Sequence, residues 1–409
     1  MPSIYLPCHG VVVLSSCVPR LHGAVVAGRQ RQLDGRNVAM WKRKKSDPLD
    51  NIARPWAASK SVPTGSSGDL GPDVLARLRS ELQMDDEWCQ LEGRELRWTG
   101  GAAPIVFSVS DPFEMNGDVT VKVTARTTLV SNVEASPDLV LKLVNVANVY
   151  ASVGSLVWLA DEREVVGFVT QYAHDGNDSV TALFSPFSLL AYTEALTLLS
   201  AELATALEGD ASAARDDEDD LLNVSEQVVI PAGLQPQRWD GEELVSMSEQ
   251  WGSAGLMANG DETGLTVEFP YSSSVSALVR ASIGLGGMPG RVTPASTSLY
   301  NQHLDIPHPR YGNGLFALLR MPDVFDEEDG LKQANELNAA ELLETTGFPS
   351  WGSWCTLEGS LAHVAFFPNL IARPGLLTTV NFYALSRSQW VQEKLLPLDL
   401  VREVRAGDR

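Results

Sequence analysis

The sequence predicts an α+β protein made of two tandem modules, each an antiparallel sheet of about five strands packed with helices. Three observations carry that prediction. A pair of Asn residues three apart occurs once in each half, the same features follow it in the same order, and strand-like runs succeed one another with little helix between them. At 409 residues the chain exceeds one ordinary core and fits two domains with further segments.

Residues 1–72 show no sustained strand or helix period and end in a run rich in Ser, Gly and Pro, so they read as a disordered N-terminal stretch. Met40-Trp41-Lys42-Arg43-Lys44-Lys45 resembles a natural N-terminus, and the codons of Gly35-Arg36-Asn37 fit a purine-rich ribosome-binding sequence. The expected start is therefore Met40, with residues 1–39 as translated upstream DNA.

The first module spans residues 73–209. Val74, Leu75, Leu78 and Leu82 fall on one helical face over 73–83. Strand-like runs follow at 95–98, 105–109 and 119–125. A helix then carries Asn145 and Asn148, a hairpin covers 153–159 and 165–172, and a long helix covers 188–207. Residues 210–230 read as a linker, because Asp216-Asp217-Glu218-Asp219-Asp220 repels itself and stays solvated.

The second module spans residues 231–400, with 401–409 as a tail. Its first helix, over 240–253, sets Leu244, Met247 and Trp251 in step, and strands are expected at 265–269, 277–283 and 314–321. Next come the helix with Asn335 and Asn338, a hairpin over 351–357 and 361–367, and a closing helix over 376–396. The two Asn pairs lie 335 − 145 = 190 residues apart, about one domain length. Asn at positions three apart shares one helix face and can hydrogen-bond the turn into the next strand; ligand binding is the alternative role.

The order of elements, the Leu-x-x-x-Asn-x-x-Asn helix and the Gly-Ser-x-x-x-Leu strand after it resemble the YbjN family. The resemblance covers residues 73–209 and 231–396, and it rests on Asn145, Asn148, Asn335 and Asn338, the strands matching in pattern alone. It implies the fold of type III secretion chaperones, a chaperone-like or regulatory role, and no established catalytic centre. The second module departs from the pattern by an insertion around 341–349 and a long segment over 284–314. The wording of Phe348-Pro349-Ser350-Trp351-Gly352-Ser353-Trp354 also has a bacterial, actinobacterial character.

A net charge of −21 and a pI near 4.7 argue against nucleic acid as the main partner. Cys8, Cys17, Cys89 and Cys355 form no Cys-x-x-Cys pair, which points to a reducing, cytoplasmic setting without a disulfide framework. No apolar run reaches the length of a spanning helix, and no base precedes Arg20 as a signal peptide requires. His303, Asp305 and His308 could bind a metal if His303 and Asp305 shared a strand face, but Pro307 and Pro309 favour an exposed loop. Gly284-Leu285-Gly286-Gly287 lacks the Lys of a phosphate loop and reads as a strand connection. Cys355 reads as a buried strand residue. No cofactor is expected.

Trp251, Trp351 and Trp354, all in the second module, are the candidate anchors of an apolar groove for a protein or peptide partner. The leading expectation is a non-enzymatic protein-binding module whose tandem copies form an intramolecular pseudo-dimer. The alternatives are a metal-dependent enzyme using His303, Asp305 and His308, and a pure scaffold.

Overall fold

The computed structural model describes residues 70–82, 84, 86–115, 118–150, 154–174, 186–212, 241–253, 257–262, 264–270, 296–308, 312–321, 329–346, 348–357, 359–368 and 376–395. All belong to one compact unit, Ile52–Arg409. The sequence expectations for residues 1–69, for the Asp216–Asp220 run, for the strand at 277–283 and for the Gly284 loop lie outside the described residues.

The fold is α+β with two antiparallel sheets. Helix α1 (Leu70–Glu81) buries Val74, Leu75 and Leu78, and it begins slightly earlier than expected because Pro72 is tolerated in a first turn. Strands β1 (Cys89–Glu92), β2 (Glu95–Trp98) and β3 (Ile105–Val109) form a meander, and β3 alternates buried and half-buried residues as a one-sided strand does. The short β4 (Phe113–Met115) leads into β5 (Asp118–Ser131). This fourteen-residue strand is the hub of the sheet, pairing β3, β4, the later β7 (Glu164–His174) and the two-residue β8 (Asp210–Ala211). Helix α2 (Pro137–Tyr150) precedes β6 (Ser155–Leu159), and the sheet order is β1-β2-β3-β5-β7-β6.

The single helix expected over 188–207 is two helices, α3 (Pro186–Thr197) and α4 (Ser200–Leu207). The break has a local cause. Leu199 N–H donates to Leu196 O at 3.0 Å, a tightened turn, and the buried Ser200 hydroxyl donates to Leu129 O of β5 at 2.6 Å. Those bonds turn α4 onto β5.

The second half runs α5 (Gly241–Ser253), β9 (Met257–Asp261), β10 (Gly264–Pro270), β11 (Ser296–His308), β12 (Gly312–Arg320), α6 (Gly330–Leu343), β13 (Ser353–Leu357), β14 (Ser360–Pro368) and α7 (Leu376–Leu395). Its sheet order, read from the outer edge, is β9-β10-β11-β12-β14-β13. That order matches the first sheet strand for strand once β4 and β8 are set aside. The sheets hold eight and six strands rather than about five each. One of the unexpected strands is β11, which the sequence presents as a loop. Pairing with β10 and β12 overrides its polar composition, and the register with β12 shifts between Leu304 and His308, where Pro307 cannot donate to a ladder.

One apolar core cluster runs through both halves, from Leu75, Leu96 and Phe107 to Leu315, Trp354, Phe367 and Leu377. A second, around Leu129, Val144, Leu156 and Leu207, fills the space under α2 and α4. Among the described residues, no helix is long and apolar enough to cross a membrane.

Candidate functional site

Strands β6 and β13 end their sheets, so one side of each backbone lacks a neighbouring strand. The four asparagines supply the missing bonds. Asn148 of α2 donates to Leu156 O at 2.9 Å and accepts from Leu156 N–H at 2.8 Å. Asn338 of α6 does the same for Trp354, at 2.9 and 2.8 Å. The other member of each pair crosses between halves. Asn145 clasps Thr356 of β13 at 3.3 and 2.7 Å, and Asn335 clasps Trp158 of β6 at 3.0 and 2.8 Å.

Each carboxamide thus stands in for one peptide unit of an absent strand. The equivalence is regular: the Asn positions differ by 190, and the clasped strand residues by 354 − 156 = 198 and 356 − 158 = 198. The serines that open the strands cross as well. Ser353 Oγ donates to Gly154 O at 2.8 Å, and Ser155 Oγ donates to Gly352 O. Gly352 sits at φ +96°, and a Cβ there would lie 2.3 Å from Val364 O, so the turn into β13 requires glycine.

The tryptophans expected to line a groove are core residues. Trp251 and Trp351 are 5% and 8% exposed and Trp354 is fully buried, so burial moves any contact surface away from them. Trp351 stacks edge-on against Phe367 and Tyr383. Trp354 donates its indole N–H to Glu341 at 2.8 Å. For His303, Asp305 and His308 the structure gives the backbone: all three lie on β11, with His303 opposite Leu315 and His308 opposite Gly312. The exposed-loop expectation is therefore replaced by a paired strand. Among the described residues, no cluster of His, Cys, Asp and Glu could hold a metal ion. Cys355 is buried on β13, and burial pushes its thiol up to about 12. The buried Cys89 thiol is pushed up for the same reason.

A buried polar junction lies at the C-terminal end of α6. Arg387 of α7 pairs with Glu341 at 2.8 Å and donates to Pro349 O at 2.8 Å, with both side chains almost wholly buried. Lys122 of β5 reaches across and donates its ammonium to Glu341 O at 2.6 Å, Leu342 O at 3.0 Å and Glu344 O. A cation on the last carbonyls of a helix satisfies them and complements the helix dipole. Burial still lowers the Lys122 pKa to about 8, although Glu341 and Glu344 oppose that shift. Of the insertion expected around 341–349, residues 341–343 are the last turn of α6, and just beyond it Ser350 N–H donates to Thr170 Oγ1 of β7 at 2.7 Å. Beside it, a small cavity of about 20 Å³ is lined by Trp351, His363, Tyr383 and Arg387 among others. Burial and the Arg387 charge hold His363 well below its usual pKa, and its Nε2 has no hydrogen-bond partner.

The outer face of α2 differs from that of α6. Leu139, Val146 and Tyr150 are 37%, 50% and 43% exposed, and half-buried Leu143 joins them in one stripe. Adding the 190-residue offset, the counterparts are Asp329, at the N-cap of α6, and Gln333, Glu336 and Ala340 within it. Lys142 has its counterpart in Lys332, which pairs with Glu336 at 3.9 Å where α2 has Val146. Sequence reasoning passed over this stripe because α2 is apolar on nearly every side. Comparison of the chain with protein-family models, curated proteins and solved structures finds no match.

Proposed function

We propose that the chain is a tandem pair of YbjN-like modules, of the type III secretion chaperone-like fold, closed on each other as an intramolecular pseudo-dimer. It acts without bond making, as a chaperone-like or regulatory module of the cytoplasm that binds another polypeptide. The shared strand order and the reciprocal Asn clasps support the pseudo-dimer. The single observation that carries polypeptide binding is the apolar stripe on α2, an exposed surface where three of the four counterpart positions are Asp329, Gln333 and the ion-paired Glu336. Trp88, Leu91, Met257, Leu343 and Phe382 are also exposed, but α2 is the one described helix that carries three such side chains in a row along one face.

Affinity capture of the full chain from native lysate, read by mass spectrometry, tests the reading. The expected result is one polypeptide retained near stoichiometry and eluted by mild competition. A chain that retains no polypeptide under gentle conditions overturns it.

A further inference from the structure

We infer that α2 is the seat of a basic amphipathic helix from another protein; this rests on the polypeptide-binding reading above. Leu139, Leu143, Val146 and Tyr150 follow one another at steps of four, three and four residues. That is the seam spacing that one helix presents to another, and it does not suit an extended peptide, which alternates every second residue. The stripe spans most of the fourteen-residue helix, so a partner of three to four turns covers it.

Charge selects the partner. The corner from which α2 starts carries exposed Glu134, Asp138, Asp161, Glu162 and Glu208. Backbone bonds draw these together: Ala135 N–H donates to Leu207 O and Val133 N–H to Arg163 O, each at 3.1 Å. Among the described residues, the bases near this corner are Arg163, committed to Val133 O at 2.8 Å, and exposed Lys142, one turn after Asp138 on α2, so carboxylates outnumber them. The apolar seam therefore ends on a carboxylate-rich corner in a chain of net charge −21, and a helix with Lys or Arg at one end completes it. A second copy of this chain does not. Laid antiparallel it brings the base-free end of α2 over the corner, and laid parallel it brings the same carboxylates.

The test is fluorescence anisotropy with the full chain and a dye-labelled helical peptide of about eighteen residues. The peptide has Leu at the same four-three-four steps and Lys at one end; a second peptide has Glu in place of Lys. The Lys peptide is expected to bind at least roughly tenfold more tightly than the Glu peptide, and Val146→Glu to weaken it by about tenfold or more. Val146→Glu adds a negative charge, so plain attraction between acid and base would strengthen binding instead. Unchanged or tighter binding by Val146→Glu overturns the inference, and so does a dimer of the parent chain that this substitution abolishes. Leu139→Gln repeats the measurement with no charge change and should also weaken binding, whereas Glu336→Lys on α6 should not. If lysate capture succeeds and is untouched by Val146→Glu, the α2 seat fails while polypeptide binding stands.

Discussion

Glu194 is a carboxylate without adequate company. It lies on α3, 7% exposed, with the backbone N–H of Ala102 as its stabilising partner and Oε1 unbonded. It packs so closely on the turn after β2 that a Cβ at Gly101 would meet Oε1 at 1.9 Å. Burial raises its pKa from 4.5 to about 7, so the folded chain keeps a proton that the unfolded chain releases. Its contribution to stability is complete below the unfolded value and is lost as pH rises through about 7. The ionised form then costs on the order of 3 kcal/mol. Glu194→Gln removes that loss: by urea denaturation the variant should be clearly more stable than the parent at pH 8 and similar to it at pH 4. Identical pH profiles for the two proteins would count against this. The sequence gives no hint of Glu194, since Tyr192-Thr193-Glu194-Ala195 reads as an ordinary helical stretch, and the loop that buries it lies some ninety residues upstream.

Among elements, the two Asn helices show how far a sequence can be read. Their spacing was legible, as were β2, β3 and the hairpins, because each is a local pattern. The identity of their partners was not, since Asn145 meets a strand 211 residues away and Asn335 one 177 residues away. Strand β11 was hidden for the same reason: its neighbours, not its own residues, make it a strand. Asn148 and Asn338 are buried, and Asn145 and Asn335 half-buried. Replacing a buried one by Ala strands an N–H and a C=O that water cannot reach, at a cost of roughly 2–4 kcal/mol. We expect Asn148→Ala and Asn338→Ala to lower the urea midpoint more than Asn145→Ala and Asn335→Ala, where solvent can replace the amide. The reverse ranking would show that the crossing bonds, not burial, dominate.

For the whole molecule, the crossing contacts are distributed over the Asn clasps, the Ser155 and Ser353 bonds, Lys122 on the end of α6 and Ser350 on β7. They do not depend on covalent continuity between the halves. A protease site placed in the Asp216–Asp220 run and cut after folding should leave two fragments that co-elute on size exclusion. With Asn145→Ala and Asn335→Ala added, the cut fragments should separate at a lower urea concentration than the cut parent. Fragments that part without denaturant would mean that the covalent tether holds the halves together. The lone Trp groove expected from the sequence failed at this scale, because tryptophans abundant in one half are also what fill a core shared with the other.

The Asn clasps have one more consequence, for misassembly. A β-sheet edge is where chains add to each other and grow fibres, because its unpaired N–H and C=O groups template another strand. Here Leu156, Trp158, Trp354 and Thr356 offer neither group to an incoming strand, since a carboxamide already occupies both. Among the described residues, the edges left open are thereby β1, β9 and the short β4 and β8. Loss of a single asparagine reopens one of the two edges that the clasps close.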